Sequence, residues 1–105
     1  MINMNAELFQ KAMAPGAGAV LVEFMAPWCV YCRRIEPALE KLSQELGGSL
    51  DIYQVNIDQE PLLAHNEMIE VVPTFVLYRS GEALGSIVAP ESKAKIQEFL
   101  REHLN

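Results

Sequence analysis

The sequence predicts an α/β domain of three layers, in which helices cover both faces of a mixed central β-sheet. Apolar runs typical of strands alternate along the chain with segments of helical period, as in strand–helix–strand units. Near the end of the chain, two such runs are joined tightly through Ser80-Gly81, which indicates an antiparallel hairpin. The 105 residues, 50% of them hydrophobic, are enough for one core, so we predict a single domain over residues 1–105.

The first helix and the first strand are predicted before residue 26. Asn5 is a typical N-cap residue, and Pro15-Gly16 ends the helix that follows it. Apolar residues recur at helical spacing between these two points: Leu8, Phe9, Ala12 and Met13. Residues 19–25 then form a nearly continuous apolar run, as expected of a central strand covered on both faces, and Glu23 is its one acid.

A long helix is predicted to begin at Cys29 and to end at Gly47-Gly48. Its apolar stripe consists of Ile35, Leu39, Leu42 and Leu46. Pro37 lies inside this helix, where it removes a backbone donor and is expected to bend the axis without ending the helix.

The second half of the chain contains three more predicted strands and two more helices. Residues 50–57 form a strand, and Asp58 with Pro61 marks the start of a short helix that runs to about His65. Residues 74–79 and 83–88 are the two strands of the hairpin. The last helix has an apolar stripe of Ile96, Phe99, Leu100 and Leu104.

Charge and hydropathy exclude several classes of function. The net charge of -6 argues against nucleic-acid binding, since Arg33-Arg34 is the only basic pair. No apolar run is long enough to cross a bilayer, so no membrane partner is expected. The N-terminus lacks the basic and apolar regions of a signal peptide, and we predict a cytoplasmic location.

The only cysteines, Cys29 and Cys32, form a Cys-x-x-Cys motif that could be a redox couple, half of a metal site or a structural bridge. A metal site needs two more ligands, and the only histidines, His65 and His103, lie far apart and outside finger-like spacing. A structural bridge across two residues would constrain the unfolded chain little. The motif therefore favours a redox couple, and no metal is predicted.

The predicted position of Cys29 at the start of a helix favours the reactive thiolate form of this residue. Unpaired backbone N–H groups and the positive end of the helix dipole lie near the Cys29 sulfur and favour its thiolate. Arg33, one turn further on, adds positive charge and is expected to lower the pKa of Cys29. Two intervening residues bring Cys32 within bridging range, so one thiolate can attack a substrate and the other can resolve the product.

Glu23 is the acid expected to serve this site. An unpaired carboxylate in an apolar strand is costly, which favours a buried acid with a raised pKa that exchanges a proton with Cys32 through water. The alternative is an acid at a strand edge that reaches solvent.

Four segments resemble the thioredoxin family in order and spacing, over essentially the whole chain. They are VEFMAPWCVYCRRIEP at residues 22–37, VNID at 55–58, VVPTF at 71–75 and the strand pair around Ser80-Gly81. The resemblance implies the thioredoxin fold and a thiol–disulfide oxidoreductase that reduces protein disulfides, with Cys29 as the exposed nucleophile and Cys32 as the buried resolving thiol. It also implies a monomer without a tightly bound cofactor, recharged by a thioredoxin reductase or a similar electron donor.

The same resemblance assigns residues around the cysteines. It implies that Trp28 covers the site and that the Val72–Pro73 peptide bond is cis, which would turn the Val72 backbone outward to pair with an extended substrate segment. Tyr31 is left open between a substrate contact and a solvent-facing residue of the linker.

Several positions depart from the family pattern. Glu23 stands in place of a buried aspartate and Gln54 in place of a lysine beside it. Ala89 replaces a common glycine, and Val30-Tyr31 replaces a Gly-Pro linker. These changes leave open the redox potential, and with it an oxidase or isomerase role. A competing class is a binding module or holdase without turnover.

Overall fold

The computed structural model describes residues 1–104. In chain order, the elements are β1 (Ile2–Asn3), α1 (Ala6–Ala12), β2 (Val20–Met25), α2 (Val30–Leu46), β3 (Asp51–Asn56), α3 (Pro61–Asn66), β4 (Thr74–Arg79), β5 (Glu82–Val88) and α4 (Lys93–Leu104). The described residues therefore contain five strands and four helices.

The five strands of the described chain form one mixed sheet in the order β1-β3-β2-β4-β5. β3 is parallel to both β1 and β2, whereas β4 is antiparallel to both β2 and β5. β2 lies at the centre, and its register places Glu23 opposite Gln54 of β3 and Phe75 of β4. The predicted mixed sheet with a terminal hairpin is confirmed.

Helices cover both faces of the sheet, as predicted. Side chains alternate along β2, so Leu21 and Glu23 point to one face and Val22 and Phe24 to the other. The core on the first face joins the sheet to α2 and α4 and includes Leu21, Ile35, Leu39, Leu42, Phe75, Ile96 and Phe99. The core on the second face joins it to α1 and α3 and includes Phe9, Val22, Phe24, Leu63 and Val76.

Two elements differ from the sequence prediction. β1 was not predicted, because two residues are too few to show the alternation that identifies a strand. The short helix α3 begins at Pro61, with Glu60 at the N-cap position, and not at Asp58. Proline fits the first position of a helix, where its missing N–H is not needed.

Gly81 is constrained by more than the hairpin turn. Its φ of 82° favours glycine, as a tight turn requires. In addition, a Cβ at this position would lie 2.7 Å from the carbonyl oxygen of Met13 at the end of α1. The turn is therefore packed against the first helix.

α2 positions the cysteines over the sheet. Cys29 is its N-cap residue, and the helix continues through Pro37 to Leu46, as the sequence predicts. Cys32 and Ile35 are buried one turn apart on the inner face of the helix. This packing fixes the first turn of α2 against Met25 and Ala26 at the end of β2. Within residues 1–104, no helix is both long and apolar enough to cross a membrane.

Candidate active site

Cys29 and Cys32 form a disulfide with a Cα–Cα distance of 5.2 Å, so the structure represents the oxidised state. Cys29 is 7% exposed and Cys32 is 3% exposed. The expectation of an exposed Cys29 beside a buried Cys32 is wrong for this state, because both sulfurs are packed among neighbouring side chains. These neighbours include Ala26, Tyr31 and Val72.

The backbone at the start of α2 is directed at the Cys29 sulfur. Cys29 has the extended conformation of an N-cap residue, and its Sγ accepts a hydrogen bond of 3.1 Å from the Cys32 N–H. A sulfur atom thus occupies the place that a serine or aspartate oxygen usually takes. A backbone N–H and a helix dipole placed in this way favour the thiolate form of a cysteine in general.

The Val72–Pro73 peptide bond is cis, as the family resemblance implies. The Val72 carbonyl oxygen lies 3.8 Å from Cys29 Sγ. Among residues 1–104, nothing accepts a hydrogen bond from the Val72 N–H. Half-buried Val72 therefore offers a free backbone donor beside the disulfide.

Besides the start of α2 and the Val72–Pro73 segment, the turn between β5 and α4 also borders the site. The Ala89 N–H donates to the Pro73 carbonyl oxygen over 2.9 Å, and Ala89 has a φ of 44°, in the left-handed region that favours glycine. The Tyr31 hydroxyl donates to the Pro90 carbonyl oxygen over 2.6 Å. Tyr31 is half-buried and its hydroxyl is bound within the protein, so it is not a solvent-facing residue of the linker.

Trp28 and Arg33 lie at the rim of the site. Trp28 is 62% exposed, and its Nε1–H donates to an Asp58 carboxylate oxygen over 3.3 Å. Asp58 therefore orients the indole and does not begin a helix. Arg33 is exposed, and its guanidinium donates to the Pro27 carbonyl oxygen over 2.7 Å. Its charge is thereby held against the segment that leads into Cys29.

Glu23 is fully buried on the face of the sheet that α2 covers. Its Oε1 accepts a hydrogen bond of 2.8 Å from Gln54 Nε2, while its Oε2 has no partner among the described residues. Burial raises the pKa of Glu23 to about 7; the Gln54 hydrogen bond lowers this pKa, and the nearby Glu36 carboxylate raises it. The alternative of an acid that reaches solvent at a strand edge is wrong.

Sequence reasoning did not identify three hydrogen-bond partners in the site: Gln54 for Glu23, Glu36 for Gln54 and Pro90 for Tyr31. Gln54 was noted only as a departure from the family pattern, yet it also donates to Glu36 Oε1 over 3.0 Å. Its pairing with Glu23 could have been found from the parallel register of the two strands. The Tyr31–Pro90 contact joins residues 59 positions apart and has no local signal.

No metal centre is formed by the residues that the structure describes. Within residues 1–104, no three side chains of His, Cys, Asp or Glu are grouped so that they could hold an ion. His65 is exposed on α3, and His103 packs against Phe99 at the end of α4.

A cysteine pair at the start of a helix and beside a free backbone donor, in a domain whose central strand carries a buried acid, defines a thiol–disulfide oxidoreductase of α/β fold. Residues 1–102 match the sequence profile of the family described as Thioredoxin. The chain belongs to the thioredoxin family.

Individual relatives agree with this membership. The chain is 36% identical to thioredoxin of Bacillus subtilis over 87 residues, which cover 83% of this chain and 84% of the relative. It is 32% identical to thioredoxin 1 of Nostoc sp. over 96 residues, which cover 91% and 90% of the two chains. The X-ray structure of Fasciola hepatica thioredoxin matches with a TM-score of 0.86 and 27% identity, over 98% of this chain and 99% of that one. The protein has the thioredoxin fold and is a protein-disulfide reductase.

Proposed function

We propose that the protein is a dithiol carrier in which Cys29 attacks substrate disulfides and Cys32 resolves the mixed disulfide. The observation that carries this division of labour is the position of Cys29 Sγ at the N-cap of α2, where it accepts the Cys32 N–H. That position stabilises a thiolate on Cys29, and the exposed guanidinium of Arg33 adds electrostatic tuning from the adjacent turn.

In the first half of the reaction, the Cys29 thiolate attacks one sulfur of a substrate disulfide. A bond forms between Cys29 and that sulfur, and the second substrate sulfur leaves as a thiolate that takes a proton from solvent. In the second half, Cys32 loses its proton to Glu23 and attacks Cys29 Sγ. The substrate sulfur released in this step takes a proton from solvent, and the substrate leaves as a dithiol. The protein has given up two electrons and now holds the Cys29–Cys32 disulfide. Glu23 returns its proton to solvent.

Substrate binding is proposed on the apolar rim around the cysteines. Trp28 offers an exposed indole, and the Val72 N–H beside Pro73 is free to pair with an extended backbone. The ring of Tyr31 contributes to the same surface, although its hydroxyl is bound to Pro90. The substrates are therefore proteins whose disulfide lies in an extended, accessible segment.

The wider setting is proposed from the family and the sequence. The protein acts as a monomer of one domain over residues 1–105, in the cytoplasm, and is recharged by a thioredoxin reductase or a similar electron donor. It needs no tightly bound cofactor, because the electrons are carried by the two thiols. Its acidic charge of -6 supports protein and not nucleic-acid partners.

Insulin reduction by dithiothreitol, followed as turbidity, tests this proposal. The protein is expected to accelerate precipitation, and Cys29→Ser is expected to abolish the acceleration. Glu40→Gln, a change on the exposed face of α2, is the matched control and should keep full activity. An insulin reduction rate equal to that of dithiothreitol alone would refute the proposal.

A binding module without turnover is the second candidate. The exposed apolar side chains of Trp28 and Val30 flank Cys29 in the sequence, and exposed Val71 precedes Val72, whose carbonyl oxygen lies near Cys29 Sγ. These side chains could hold a partner in either redox state of the protein. A Cys29→Ser/Cys32→Ser double variant separates the two functions. A holdase would suppress aggregation of an unfolded client equally well without the thiols, whereas a reductase would lose its activity.

A further inference from the structure

One amide group connects two carboxylates beneath α2. Gln54 Nε2 donates to Glu23 Oε1 over 2.8 Å and to Glu36 Oε1 over 3.0 Å. An amide nitrogen carries two hydrogens, so a single nitrogen can serve both acceptors. Gln54 and Glu23 are buried, whereas Glu36 is half-buried on α2. The amide thus joins a buried acid to one that reaches the helix surface.

The orientation of the amide follows from its acceptors. If the amide were turned over, its carbonyl oxygen would face the Glu36 carboxylate, and two acceptors would oppose each other. With Nε2 facing both acids, Glu23 Oε1 is an acceptor in either protonation state. A proton on Glu23 must therefore be carried by Oε2, the oxygen that has no partner among the described residues.

We propose that Gln54 and Glu36 are positioning residues for proton exchange at the cysteine pair. Gln54 fixes the Glu23 carboxyl so that only Oε2 gains and loses the proton, and the Glu36 carboxylate on the same amide makes Glu23 a stronger base. When Cys32 is deprotonated, its S–H bond breaks and an O–H bond forms at Glu23 Oε2. The proposal rests on the proposed role of Glu23 in that step.

Glu36 is the ionisable side chain that acts on Glu23 through space. β3 contributes neutral Gln54, and β4 contributes Phe75. On α2, Cys32 is buried, the Arg33 guanidinium is bound to Pro27, and Arg34, Glu40 and Lys41 are exposed to solvent. From α4, Ile96 and Phe99 face the sheet. The lysines at the start of α4 are paired elsewhere, Lys93 with Glu45 and Lys95 with Glu98.

Two substitutions are expected to move the pKa of Glu23 in opposite directions. Glu36→Gln removes a negative charge and should lower it by about 1 pH unit. Gln54→Met removes the hydrogen bond that favours the charged form and should raise it by about 1 pH unit. Glu40→Gln, one turn beyond Glu36 on the same helix and exposed, should leave the pKa unchanged.

The measurement is a carbon-13 NMR titration of the Glu23 carboxyl in the oxidised protein, in which neither cysteine titrates. Opposite shifts in the two variants support the proposal, and shifts in the same direction, or none, overturn it. If Gln54→Met does not fold, the test rests on Glu36→Gln, because the Glu36 side chain is only half-buried. A lower pKa of Glu23 in that variant supports the positioning roles, and an unchanged pKa of Glu23 overturns them.

A kinetic arm separates failure of this proposal from failure of the proposed function. Cys29 is loaded with a thiol-reactive chromophore as a mixed disulfide, and its release by Cys32 is followed against pH. The midpoint of this rate profile should move with the NMR midpoint in each variant. If the NMR midpoint moves and the rate profile does not, Glu23 is not the proton acceptor and the catalytic part of the proposal is overturned.

Discussion

Replacement of Glu23 by glutamine should remove a pH dependence from the stability of the oxidised protein. The folded state raises the pKa of Glu23 from its ordinary value of 4.5 to about 7, because the carboxyl is buried. The folded protein therefore binds this proton more tightly than the unfolded chain does. The contribution of Glu23 to the free energy of unfolding is therefore greatest below the unfolded pKa, and it falls as the pH rises from 4.5 to about 7.

The magnitude follows from the size of the shift. A displacement of about 2.5 pH units, at 1.36 kcal/mol per unit, corresponds to about 3 kcal/mol of stability lost between acid and neutral pH. Glu23→Gln keeps an acceptor for Gln54 but cannot ionise. The variant should equal the wild type in stability near pH 4, apart from any constant offset, and gain about 3 kcal/mol on it by about pH 8.

Urea unfolding followed by circular dichroism, without reductant, measures this difference at a series of pH values. Other acids titrate in the same range, but they cancel when the variant is compared with the wild type. Glu40→Gln is the control, because its exposed side chain should show no such divergence. A stability difference between Glu23→Gln and wild type that stays constant from about pH 4 to about pH 8 would refute the reasoning.

Three further predictions concern the thiols and their surroundings. Cys32→Ser should accumulate a mixed disulfide with substrate, detected by mass spectrometry, and faster alkylation of Cys32 than of Cys29 in the reduced protein would contradict this. Val30→Gly with Tyr31→Pro removes one N–H from the first turn of α2 and should make the potential more negative, by on the order of 30 mV; an unchanged potential would assign the linker to substrate contact. Ala89→Gly removes the strain of an alanine at a φ of 44° and should raise the free energy of unfolding in urea by about 1 kcal/mol. A loss of stability in this variant would show that Ala89 is not strained.

The fold was predictable because its main signals are local. The apolar run before the cysteines identifies β2, and the helical stripe after them identifies α2 with its start at Cys29. Pro37 was correctly placed inside α2. β1 could not be predicted, since its two residues are specified by pairing with β3 and not by their own pattern.

The candidate site was predictable only in part, for a physical reason. The chemistry of Cys29 and the burial of Glu23 follow from neighbours in the sequence. The Gln54 amide and the Pro90 carbonyl oxygen are brought to the site by strand register and by a turn more than 50 residues away. The strand register makes the Glu23–Gln54 pair predictable, but no local pattern specifies the contact of Gln54 with Glu36 or that of Tyr31 with Pro90.

The cysteine motif acquires its surroundings only late in the chain. Cys29 Sγ lies near the Val72 carbonyl oxygen. The Tyr31 hydroxyl donates to the Pro90 carbonyl oxygen, and the Ala89 N–H donates to the Pro73 carbonyl oxygen. During synthesis, a nascent chain would expose both thiols long before residues 72–90 leave the ribosome. The pair would pass through that interval as an ordinary, flexible dithiol, open to oxidation by any disulfide nearby. The surroundings of the thiol pair are therefore completed only after residues 72–90 have been synthesised.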